Sequence, residues 1–163
     1  MVTRRNRVIA VVRQDNGPVP TMIPDFRDDG YLPNGLHLAT EHEVVSRFGT
    51  ASGSRRRLVQ RLLRWVEIAR YVRAKRFFVD GSFVTAKPAP EDVDAVVWLP
   101  NDFRDQVFRG VFPAIELEHA LLTRQPEEIV AAEDRRDWDD WVDFFSRTRE
   151  LDGRRKGIVE IEL

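Results

Sequence analysis

Asp92 and Asp94 are the residues whose type and spacing first suggest chemistry, because they head the apolar run Val93-Asp94-Ala95-Val96-Val97-Trp98-Leu99. Such a run reads as a buried strand, ended by Pro100-Asn101. Strand side chains alternate between faces, so two carboxylates at i and i+2 project the same way. In a low dielectric they repel one another unless a cation lies between them. A hard divalent ion such as Mg²⁺ suits them, since it prefers carboxylate and phosphate oxygens. Upstream of this pair, with nine residues between, lies Gly81-Ser82, which follows the apolar run Phe77-Phe78-Val79 and Asp80. A glycine there lets the backbone approach an anion closely, and exposed amides with a serine hydroxyl can donate to phosphate oxygens. Asp80-Gly81-Ser82 is equally good turn chemistry.

The elements that must position these residues can be read from periodicity. Arg7 to Val12 reads as a short strand, and the Pro-, Asp- and Gly-rich stretch from Asn16 to Gly35 as a loop or arm. Thr40 with Glu43 three residues on forms a capping box that opens a short helix ending near Phe48-Gly49. Leu58, Leu62, Trp65, Ala69 and Val72 mark one face of a helix of about 20 residues, with Ser52 or Ser54 as N-cap. Arg76 to Val79 and Val93 to Leu99 read as strands, and Asn101 to Phe108 as a short helix. Ala114-Ile115-Glu116-Leu117-Glu118 alternates and reads as a third strand, although the chain from Glu118 onward could turn helical. Trp138, Trp141, Val142 and Phe145 define a helix that packs aromatics inward, and Gly157 to Leu163 alternates as a closing strand. The expected fold class is α/β (α+β): a small mixed sheet flanked by helices, in one domain over 1–163, with 1–31 as an N-terminal arm.

Composition narrows the chemistry further. The chain has 163 residues and no cysteine, which excludes zinc–thiolate sites, thiol nucleophiles and disulfides. No apolar run approaches the roughly 20 residues needed to cross a bilayer, and Val8 to Val12 is too short for a signal-peptide core, so a cytoplasmic protein without membrane contact is expected. The net charge of −1 hides a basic segment, Ala51 to Asp80, with nine Lys/Arg against two Asp/Glu. Pro113 to Asp152 carries five Arg against twelve Asp/Glu. Either the basic helix offers a face to a polyanion such as RNA, or the two halves neutralise each other or stay solvated. His37, His42 and His119 lack metal-ligand spacing, and no P-loop or nucleophile elbow is present.

Gly81-Ser82, the nine-residue interval and Asp92-Val93-Asp94 before an apolar strand resemble the signature of the DNA polymerase β-type nucleotidyltransferase superfamily. Leu32-Pro33-Asn34-Gly35-Leu36-His37-Leu38-Ala39-Thr40, Arg47-Phe48-Gly49, Gly81 to Pro88 and Lys156 to Ile161 are similar to a family of short bacterial nucleotidyltransferase-like proteins. The likeness runs from about residue 32 to the end. It implies a minimal nucleotidyltransferase fold, with Gly81 and Ser82 on the β- and γ-phosphates of a nucleoside triphosphate and Asp92 and Asp94 on Mg²⁺. A third acidic residue on a later strand would complete the set. Glu116 is the preferred candidate, with Glu118 on the same face as the alternative. A glutamate in place of the usual aspartate adds a methylene, which puts catalysis more in question than binding. Lys87, between the motifs, would neutralise phosphate charge or be an ordinary surface lysine, and His37 would line the pocket or make a local hydrogen bond.

The function so implied is Mg²⁺-dependent transfer of a nucleotidyl group to an RNA, such as tRNA, or to a protein acceptor, in a toxin–antitoxin or defence setting with a partner protein. Two other readings stand beside it: a nucleotide-binding regulatory module without turnover, and an RNA-binding module that uses the arginine-rich helix.

Overall fold

The computed structural model describes residues 23–124 and 128–163. The expected strand Arg7 to Val12 and most of the expected arm lie outside these residues. The described part of the arm is ordered around Ile23 and Leu32, both buried.

Five strands form one open, mixed sheet: β1 (Gly35–Ala39), β2 (Arg76–Asp80), β3 (Asp94–Trp98), β4 (Ile129–Ala132) and β5 (Gly157–Ile161). Their order is β1-β5-β2-β3-β4. The outer pairs β1–β5 and β3–β4 are parallel, and β2 runs antiparallel to both β5 and β3. Among the described residues five α-helices flank the sheet: α1 (Glu41–Phe48), α2 (Gly53–Val72), α3 (Phe103–Phe108), α4 (Phe112–Thr123) and α5 (Arg135–Phe145). The fold is mixed α/β, as the alternation of strand and helix patterns predicts.

Strand alternation divides the core between the two faces. Phe77, Val79, Ala95, Val97 and Val159 join the buried faces of α1, α2 and α4. Phe78, Val96, Val130 and Ile158 join Trp138 and Phe145 of α5. The capping box of α1 forms as expected: Thr40 accepts from the Glu43 amide, and Glu43 accepts from the Thr40 amide at 2.8 Å. Ser52 caps α2, whose buried residues include all five of the predicted apolar stripe.

One element is a correction. Ala114–Glu118, expected as the third strand, lies inside α4. Five residues cannot distinguish period two from helical spacing, and Ala114 and Leu117, three apart, are the two that turn inward. Pro113 at the helix start, where a proline's missing donor costs nothing, was the signal for a helix. The strand beside β3 is instead β4, whose four residues are too short to show a pattern. β1 was also missed, because its residues are mostly half-buried at a sheet edge.

Candidate functional site

One end of the sheet gathers the end of β2, the residues leading into β3 and β4, and the residue before β5. β2 ends at Asp80, and Gly81 then takes φ +81° and ψ −175°, a conformation open almost only to glycine. A Cβ on Gly81 would lie 3.0 Å from the Asp92 carbonyl oxygen and 3.1 Å from the Asp94 amide nitrogen. Glycine therefore lets the turn close directly onto the start of β3. Ser82 opens a single 3₁₀ turn, Ser82–Val84. Its amide donates to Asp92 Oδ1 at 3.0 Å, and its hydroxyl donates to the same oxygen. The hydroxyl also accepts from the Glu91 amide at 3.0 Å and the Asp92 amide at 3.3 Å. Ser82 thus fixes the Asp92 carboxylate.

Register places further charges around Asp94. Asp80 is its cross-strand partner on β2. On the other side the Ala95 amide donates to the Glu128 carbonyl at 2.9 Å, and Ala95 pairs with Ile129, so Glu128 leads into β4 next to Asp94. Lys156, just before β5, places Nζ 2.7 and 2.6 Å from the two oxygens of buried Asp80. Burial pushes the Asp94 carboxyl up to about 7, aided by the charges of Asp92, Asp80 and Glu128 and opposed by Lys156. Burial likewise raises Asp80, while Lys156 pulls it back. Asp94 is therefore a carboxylate in electrostatic conflict, the condition a bound cation relieves.

Glu116 does not belong to this group. It sits on α4, where both of its oxygens accept from Arg64 of α2, at 3.0 and 2.5 Å. The expectation of a third carboxylate there fails because the segment is helical. Glu118 lies on the same helix. Lys87 pairs with Glu91 at 3.1 Å within the loop between the motifs. His37 Nε2 lies 2.7 Å from the Pro33 carbonyl, the local hydrogen bond rather than a pocket role.

Sequence reasoning missed four residues. Glu128 was hidden by the misplaced third strand. The Asp80–Lys156 pair joins positions 76 apart, which no local pattern reveals. Arg55, counted among the basic residues of α2, is buried and donates to the carbonyls of Phe48, Phe83, Thr85 and Lys87 at 2.6–3.0 Å. It holds the loop that follows Ser82. Other arginines of α2 are also engaged, Arg70 with Glu41 and Arg64 with Glu116, and Arg73 at its C-cap pairs with Asp102.

The donor chemistry of Asp92, Asp94 and Glu128 fits a hard cation. Among the described residues, however, no three His, Asp or Glu side chains are gathered closely enough to enclose an ion. Two shallow surface depressions lie elsewhere, one over α2 around Arg64 and Tyr71, the other between β4 and α5 around Trp141 and Phe144. Among the described residues no helix is long and apolar enough to cross a membrane.

Residues 24–162 match the model of a family of unknown function, DUF6932. The chain belongs to that family. The match spans the whole sheet and the carboxylate end, so the site described above lies within the DUF6932 region. No curated protein and no solved structure matches the chain.

Proposed function

We propose that this DUF6932 chain is a Mg²⁺-dependent nucleotidyltransferase that uses the carboxylate end of its sheet on a nucleoside triphosphate. The observation that carries the reading is the seating of the Gly81-Ser82 turn on Asp92, with Asp94 at the start of β3 and Glu128 just before β4. Asp92 and Asp94 would hold the ion, and Glu128 takes the place first expected of Glu116. When bound, Mg²⁺ supplies charge neutralisation for the triphosphate and Lewis-acid polarisation at phosphorus. Ser82 orients the Asp92 carboxylate. Glu128, whose half-exposed carboxylate pairs with Arg124 at 3.5 Å, would accept the proton of an RNA or protein hydroxyl on leaving that pair. Arg55 keeps the loop from Phe83 to Lys87 in place beside the site.

A second reading, nucleotide binding without turnover, is favoured by one observation. The Ser82 amide and hydroxyl are already spent on Asp92, so fewer donors face a phosphate. The RNA-binding reading through α2 loses support, since Arg55, Arg64, Arg70 and Arg73 are engaged within the fold. Incubation with α-labelled nucleoside triphosphates, Mg²⁺ and bulk tRNA or total protein separates the first two. Label transfer lost in Asp94→Asn supports the enzyme. Mg²⁺-dependent nucleotide binding without transfer supports the binding module. Absence of both overturns the assignment.

A further inference from the structure

The two edges of the sheet are finished differently. At the β4 edge, the Ala95 and Leu99 amides donate to the carbonyls of Glu128 and Ala132, so Ala131 turns its polar groups outward. Trp141 Nε1 donates to that Ala131 carbonyl at 3.0 Å, and the neighbouring Ile129 is 1% exposed. This edge is covered. At the β1 edge, the Glu162 amide donates to the Ala39 carbonyl at 3.0 Å. Ladder alternation then turns Gly35, His37 and Ala39 toward β5, and turns the amides and carbonyls of Leu36 and Leu38 away from it. Among the described residues no strand lies on that outer side. Leu38 is 44% exposed, and Leu36 and His37 are half-buried.

Natural edges are commonly blunted by a lysine, a proline or a bulge, because unpaired amides and carbonyls are a template for another strand. β1 holds no charged residue and no proline, and its register with β5 is unbroken from Gly35 to Ala39. The pattern also selects the strand that fits. Leu36 and Leu38 are symmetric about His37, so a copy of β1 turned through a half-rotation presents the same groups in reverse order. Antiparallel pairing centred on His37 sets Leu36 opposite Leu38 of the second copy, and every outward amide and carbonyl of both strands is then bonded. The facing side chains agree. Leucine meets leucine on one face. On the other, Gly35 meets Ala39 of the copy beside the two His37 rings, each held at its own Pro33 carbonyl.

We infer that β1 is a self-association edge, through which two copies of the chain join their sheets about a two-fold axis at His37. The inference stands apart from the nucleotidyltransferase reading. A five-residue strand pair is a small contact, so the dimer forms and dissociates with concentration.

Sedimentation of the intact chain between about 5 and 500 μM, a range that brackets micromolar association, should show monomer giving way to dimer. Leu38→Pro removes an amide that has no part in the β1–β5 ladder, and proline is tolerated at such edge positions. The variant should keep its circular dichroism and raise the dimer dissociation constant at least about tenfold. Should it misfold, Leu38→Lys takes its place, since lysine is the residue that protects natural edges. The chain has no cysteine, so His37→Cys gives an independent readout. Opposed residues of a non-hydrogen-bonded pair lie about 4.5 Å apart at Cα, within disulfide reach. His37→Cys should form a covalent dimer on oxidation, and should not when combined with the Leu38 variant. A chain that stays monomeric throughout would leave the edge to some other segment and overturn the inference. A folded Leu38 variant that dimerises as before would place the contact elsewhere, on exposed Phe108 and Phe112 for example, and would overturn it too. So would a folded His37→Cys that fails to cross-link.

Discussion

Arg64–Glu116 and Lys156–Asp80 are both close pairs of a cation with a carboxylate, at 2.5 and 2.6 Å, but they occupy opposite settings. The first joins two helices at the surface, with side chains 45% and 33% exposed. The second joins two strand ends in the interior, at 12% and 4%. Water screens the first and already solvates its members, so the pair fastens α4 to α2 with little net energy. The second lies where an unpaired charge has no water to turn to. The carboxylate that sequence spacing recommended sits in the cheap setting, and the one it passed over sits in the costly one. Burial, more than spacing, marks where charge is organised for chemistry.

The contrast can be broken most severely at Lys156. Lys156→Met leaves Asp80 buried without a partner, and urea unfolding should show a loss of about 3–5 kcal/mol. Gly81→Ala comes next, because it forces a side chain into a glycine conformation with a Cβ 3.0 Å from the Asp92 carbonyl. A loss of about 1–3 kcal/mol is expected by the same measurement, together with a weakened Mn²⁺ titration, as the turn lifts off Asp92.

Asp94→Asn should move stability the other way. The folded-state pKa of Asp94 is raised from 3.8 to about 7, so between those values the folded chain binds more protons than the unfolded chain. Stability from this group is therefore lost as pH rises from about 4 to 7 and stays lost above that. Without divalent ions, Asp94→Asn should match the unaltered chain at pH 4 and exceed it by about 2 kcal/mol at pH 8, a figure discounted for partial exposure. Thermal melts across pH check this, and equal stabilities at pH 8 would refute it. The smallest effect belongs to Glu116→Gln, with a change under about 1 kcal/mol and an unaltered Mn²⁺ titration. A lost titration in that variant would restore Glu116 to the site.

Much of the architecture was legible because its signals are local. Thr40 with Glu43, Ser52 before its helix, and the Leu58–Val72 stripe each specify an element within a few residues. Asp92, Asp94 and the Gly81-Ser82 turn were legible for the same reason, and the structure brings them together. Ala114–Glu118 failed because five residues fit two periods, and only burial of Ala114 and Leu117 decides between them. That error carried Glu116 into the expected site and concealed Glu128, since the true neighbour of β3 is the four-residue β4. Lys156 and Arg55 could not be foreseen at all. Their partners are set by which strands and loops meet, and that is a property of the assembled sheet.

Arg55 carries a further consequence. Its positive charge is met by four backbone carbonyls, at Phe48, Phe83, Thr85 and Lys87. Carbonyl dipoles do not titrate, and a buried contact of this kind is barely reached by dissolved ions. The fastening is therefore indifferent to acid and to salt, conditions under which the surface pairs of α2 loosen. In mechanical terms the segment from Phe83 to Lys87 is bolted at three points to the first turn of one helix and, through Phe48, to the last turn of another. A ligand that pulls on that segment pulls on both helices at once, so strain at the carboxylate end would be felt across the face of the sheet that α1 and α2 cover.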